Sequence, residues 1–113
     1  LNQLDKALAA YNKAISLNNK NSFAYFNSGL LLENQGINRK AADYFYSAGT
    51  SSLLVKDFNM ANNAYNALQR LSNQEGYIIK KSKKLKELIE ELSMFDDNNF
   101  KIVKVNTKGN LNE

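Results

Sequence analysis

Two stretches of this 113-residue chain carry side chains dense enough to do chemistry. In YIIKKSKKLKELIEEL, Lys80, Lys81, Lys83, Lys84 and Lys86 cluster ahead of Glu87, Glu90 and Glu91. Cations so grouped could hold an acidic partner, RNA or an anionic membrane surface, and Lys80, Lys81, Lys83 and Lys84 are the candidate basic contact. The order of charges runs against the helix dipole, and lysine before glutamate is the poorer i,i+4 orientation. No aromatic residues interleave with the lysines, as stacking on a single strand requires. The solvated face of a capping helix accounts for the cluster, so neither nucleic acid nor a membrane is an expected partner. The second stretch is Asp96-Asp97-Asn98-Asn99, whose oxygens suggest calcium. An EF-hand needs glycine at its sixth place and glutamate at its twelfth. Counted from Asp96 those places hold Lys101 and Thr107, so a polar turn ending a helix is the expectation.

What is missing narrows the chemistry further. The chain has no histidine, cysteine, proline or tryptophan. Thiol nucleophiles, imidazole bases, disulfides and the usual zinc ligands are therefore excluded. No glycine-rich phosphate loop or nucleophile elbow is present. No catalytic residue, metal site or cofactor is expected. The formal charge of +4 is mild, and asparagine and lysine are abundant in the manner of compositional drift. No apolar run approaches the roughly 20 residues of a membrane span.

A chain without proline can be helical almost throughout. Leu4, Ala7, Leu8, Tyr11, Ala14, Ile15 and Leu17 recur at steps of three and four and predict a first helix. Ser22 is the expected N-cap of a second, running to about Asn34, with Gly36 as its C-terminal cap. Asn38 is expected to cap a third helix over 39–55, and Asp57 a fourth over 58–71. The pattern SNQE, Ser72 to Glu75, reads as a capping box opening a fifth helix that ends near Met94. Beyond it, Phe100, Ile102, Val103 and Val105 suggest a short strand or an extended adhesive segment. Short links make consecutive helices antiparallel neighbours. The fold class is all-α.

Self-similarity sets the arrangement. A shift of 34 places Lys6, Ala7, Tyr11 and Ala14 on Lys40, Ala41, Phe45 and Ala48. Small, aromatic, small is what closely approaching helices need. A 34-residue helix pair is the length of the tetratricopeptide repeat, and residues 22–55 resemble one complete repeat of that family. The resemblance rests on Tyr25, Ser28-Gly29 and Leu32 in one helix, and on Ala41, Phe45 and Ala48 in the next. Asn19 and Leu53 stand where the family usually has proline, and Ser28 where leucine is commoner. A shift of 20 competes, carrying Gly29, Ala41 and Phe45 onto Gly49, Ala61 and Tyr65. It implies that the third helix offers small and aromatic residues to neighbours on both sides.

The resemblance implies an alpha-alpha superhelix with a division along the chain. Residues 1–72 are helical repeats: a second helix of a partial repeat (1–21), a complete repeat (22–55) and a degenerate repeat helix (56–72). A capping helix (73–94) and an extended or flexible tail (95–113) follow. The periodic pattern under way at Leu1 suggests a piece of a longer repeat protein. The resemblance also implies a non-catalytic protein–protein interaction module that holds a peptide or protein subunit in a concave groove. Carried over by position, that groove comprises Phe23, Phe26, Asn27, Leu30, Glu33 and Asn34. Asn27 falls where the family often has an asparagine that bonds a ligand backbone. The carboxylate-binding variety needs an arginine where this chain has Met60 and a first helix that is absent here, although Asn27 fits one of its places and Lys56 another. Alternatives are a structural subunit with faces buried by neighbours, and a basic adaptor using the lysine helix. Self-association through helix 1 or the C-terminal tail is a further expectation. In all of this, Gly29 stands out as a costly residue for a helix interior. Its expected return is close approach to Phe45.

Overall fold

The computed structural model describes residues 2–18 and 21–108, with side chains left out at 2, 4 and 95–108. Its elements are α1 (Asn2–Leu17), α2 (Ser22–Asn34), α3 (Asn38–Leu54), α4 (Phe58–Ser72) and α5 (Gly76–Lys108). There is no strand among the described residues. Each helix packs on the next, and in addition α2 touches α4 and α3 touches α5. Two layers result, α2 and α4 in one, α1, α3 and α5 in the other. The Cα envelope measures 64 × 34 × 16 Å.

The core lies along α3. Ala41, Phe45 and Ala48 are all completely buried, as the small–aromatic–small pattern requires. A Cβ on Gly29 would stand 2.7 Å from the Phe45 ring, so the missing methyl is what allows α2 and α3 to close. Phe26 covers the same ring from the side, with centroids 5.2 Å apart. Gly49 does the same for α3 and α5: a Cβ there would lie 2.5 Å from a Leu85 methyl. The 20-residue echo of Gly29 in Gly49 thus marks a real close approach. Its partner is Leu85 on α5 rather than Tyr65 on α4.

Turn chemistry follows the sequence in part. Asp57 caps α4, accepting from the Met60 N–H at 3.0 Å. Gly36 has φ +77°; it donates to Glu33 O while Ile37 donates to Leu32 O, each at 2.9 Å. This double bond pattern is the Schellman closure. Three expectations are corrected. Asn21, not Ser22, caps α2 and accepts from Ala24 N–H at 3.1 Å. Asn38 lies inside α3, whose N-cap is Ile37 and makes no side-chain bond. The SNQE capping box does not form. Ser72 ends α4, with its hydroxyl donating to Gln69 O. The link turns through Asn73 and Gln74 at positive φ.

The largest correction concerns the tail. Residues 95–108, expected to make a helix-ending turn at Asp96–Asn99 and then an extended segment or flexible tail, continue α5 as helix through Lys108. Starting a helix is costly but extending one is not. Between Gly76 and Gly109 there is neither proline nor glycine to stop it. Ile102, Val103 and Val105 cost only fractions of a kcal/mol each, too little to reverse propagation. Residues 109–113 lie outside the described residues.

Neighbouring residues on α2 give substitutions of opposite sign. Ser28 is completely buried and its hydroxyl has no hydrogen-bond partner. Ser28→Ala removes an unpaired polar atom and raises stability by about 1 kcal/mol. Gly29→Ala gains helix propensity but drives a methyl into the enclosed Phe45, for a net loss of about 1–3 kcal/mol. Urea unfolding of the two variants beside the parent checks both.

Candidate functional site

The site builds from the outer faces of α2 and α4, which occupy one layer. Helix geometry turns each residue about 100° from the last. On α4 the buried residues Met60, Ala64, Ala67, Leu68 and Leu71 define the inner face. Asn59, Asn63, Asn66 and Arg70 fall along the outer flank, all exposed. Arg70 identifies the neighbour of that flank. Its Nε and guanidinium nitrogen donate to the two Glu33 oxygens at 2.7 and 2.6 Å. Asn62 and Gln69 lie on the opposite flank, where Gln69 accepts from Ser82 of α5 at 2.9 Å. On α2, Glu33 shares its flank with Phe26 and Leu30. The Glu33–Arg70 pair therefore joins the two flanks near the C-terminal ends of α2 and α4. The bond to Glu33 holds the Arg70 proton more firmly than an isolated guanidinium would.

The expected groove residues differ in exposure. Phe23, 65% exposed, and Leu30, 40% exposed, stand open on the outer face. Phe26 is half-buried, occupied in part by Phe45. Glu33 is taken up by Arg70. Asn34 is exposed near the helix end, and Asn27 is half-buried. Asn27 sits about 100° round from Phe26, on the side away from α4. The facing wall of α4 was missed by sequence reasoning. Its signal was present in FNMANNAYNALQRL, where Asn59, Asn62, Asn63 and Asn66 recur at helical spacing. Asparagine costs a helix interior up to about 0.7 kcal/mol against alanine, so four of them weaken α4 where lysine or glutamate would not.

The lysine cluster has a different fate. Lys81 is drawn into the contact between α3 and α5. Its ammonium lies 3.4 Å from Asp43, 4.8 Å from the Tyr46 ring centroid and 5.2 Å from that of Tyr77. Tyr77 donates to Asp43 Oδ1 at 2.6 Å, and Arg39 lies over the Tyr77 ring while pairing with Glu75. Lys80, Lys83 and Lys84 stay exposed. With Tyr77 and Ile79, Lys80 and Lys83 edge an open hollow of about 620 Å³. Among the described residues no group of His, Cys, Asp or Glu could hold a metal, and no helix is long and apolar enough to cross a membrane.

This two-layer stack of antiparallel helices, with glycine at its close crossings, can be set beside known proteins. Residues 1–36 match the family model described as TPR repeat. Over those residues the chain is similar to a tetratricopeptide repeat. The match spans α1, α2 and the turn at Gly36, while the α2–α3 hairpin continues past it. No curated protein and no solved structure matches the chain. Tetratricopeptide repeats are non-catalytic and generally mediate protein–protein interaction.

Two measurements separate the structural lysine from its neighbours. Lys81→Ala lowers unfolding stability by about 1 kcal/mol through its lost ring and carboxylate contacts, whereas Lys84→Ala stays within about 0.5 kcal/mol. The bond to Asp43 raises the Tyr77 phenol above its ordinary value, with the nearby Arg39 cation opposing. The stability it contributes is full below about pH 10 and is lost as pH rises through the raised value. Tyr77→Phe removes that part of the alkaline loss, read from unfolding midpoints in an alkaline pH series.

Proposed function

We propose that the protein is an interaction module that holds a segment of a protein partner along the line where α2 and α4 meet. One observation carries this reading: Phe23 and Leu30 stay exposed on α2, the helix that Glu33 joins through Arg70 to the amide-bearing flank of α4. Exposed apolar side chains beside groups that both donate and accept suit a polypeptide, which offers apolar side chains and backbone bonds together. The two helices are fixed by the core, so little order is lost when a partner docks. The family's habit of binding protein partners supports the same reading.

A displayed library of random peptide segments tests it. Segments selected on the parent protein are expected to bind about tenfold or more weakly to Leu30→Asp, since a carboxylate then stands where an apolar side chain docked. Leu30 is exposed, so circular dichroism should show the helical fold retained. Selected segments that bind parent and Leu30→Asp equally would reject this groove.

A further inference from the structure

α5 is about twice the length of the helices it packs on, 33 residues against 17 in α3 and 15 in α4. Side-chain contacts fix where it outruns them. Asp43 meets Tyr77 and Lys81, Tyr46 meets Lys81, and Gly49 crosses Leu85, so α3 and α5 run parallel and in step. Five residues beyond that crossing, Leu54 ends α3 level with Glu90. α4 runs the other way. Gln69 bonds Ser82, so Phe58, eleven residues back, opens α4 level with Ser93. From Glu90 to Met94 every side chain is exposed. Residues 95–108 then continue as helix for about 21 Å past both neighbours. Neither proline nor glycine interrupts the helix between Gly76 and Gly109, so it has no hinge at which to fold back over its own stack.

The projecting half is split by charge. Residues 87–97 hold Glu87, Glu90, Glu91, Asp96 and Asp97 and no cation, whereas residues 98–108 hold Lys101, Lys104 and Lys108 and no anion. Laid beside an identical segment in the same direction, like charge meets like. Laid in the opposite direction, acid meets base along the whole length. The apolar positions permit that reversal. Leu92, Phe95, Asn99 and Ile102 recur at steps of three and four, the spacing of a seam between helices. Turned end for end about Asp97, the set falls on itself, Leu92 on Ile102 and Phe95 on Asn99. A polar residue within such a seam fixes register. We infer that two copies of this chain pair through the projecting half of α5, antiparallel and centred near Asp97. The contact is isologous, the same surface serving on both copies. Lys104 of one copy comes level with Glu90 of the other, at the height where Leu54 and Val55 stand 67% and 70% exposed. The pairing does not depend on the groove of α2 and α4.

Sedimentation equilibrium of the full chain tests it. The expected species has twice the chain mass of 12.8 kDa and dissociates as salt rises. Leu92→Asp places a carboxylate in the seam and weakens pairing about tenfold or more. Two charge variants, Lys101→Glu/Lys104→Glu/Lys108→Glu and Glu87→Lys/Glu90→Lys/Glu91→Lys, each pair poorly alone and form a one-to-one dimer when mixed, which also shows that both fold. The chain has no cysteine, so a spin label on Thr107→Cys reports direction. Thr107 is ten residues from the centre, which sets the two labels roughly 30 Å apart in an antiparallel pair and roughly 10 Å apart in a parallel one. A monomer at every concentration would overturn the pairing. So would a dimer indifferent to Leu92→Asp and to both charge variants, and labels roughly 10 Å apart would overturn its direction.

Discussion

Everything in this stack depends on how near α2 can come to α3. Gly29 has no side chain, and the Phe45 ring occupies the space one would have filled. Phe45 is completely enclosed, and burying such a ring is worth roughly 1.5–3 kcal/mol, more than glycine costs the helix. Once α2 lies on α3, its outer face is set. Phe23 and Leu30 then stand exposed on that face, and Glu33 comes within reach of Arg70. The groove is therefore a by-product of an internal contact, and the residues that create it do not line it.

Much of this was written in the local spacing. Helix number, the tight turn at Gly36, the cap at Asp57 and the buried trio Ala41, Phe45 and Ala48 all follow from short-range patterns. Those patterns have short-range causes: apolar period, the left-handed φ of a turn, a carboxylate beside free N–H groups. The misplaced caps at Ser22 and Ser72 show where such reasoning weakens. Asn21 and Ser22 are both good caps in isolation, and a shift of one residue decides which N–H groups they meet.

The site was less legible because it depends on which helices lie side by side. Phe23, Leu30 and Asn34 could be placed on an outer face from α2 alone. That Glu33 would be spent on Arg70, 37 positions away, required knowing that α2 and α4 share a layer. The same holds for Lys81, which reads as one of a run of lysines until Asp43 and Tyr46 are brought beside it. Charge runs report composition, and only tertiary neighbours decide which members are structural.

One feature of α1 bears on how the stack comes apart. None of its described side chains is fully buried, and among the described residues the Tyr44 hydroxyl of α3 donates to Asn12 at 3.0 Å. The α2–α3 and α3–α5 crossings, by contrast, are locked by glycine contacts with no slack. Of the helices whose side chains are described, α1 alone has no buried residue, so local opening costs least there. The residues by which the family is recognised thus include the helix held least firmly. A sequence signature records the shape a segment must take against its neighbours, and how deeply that segment is buried is a separate property, greatest here along α3.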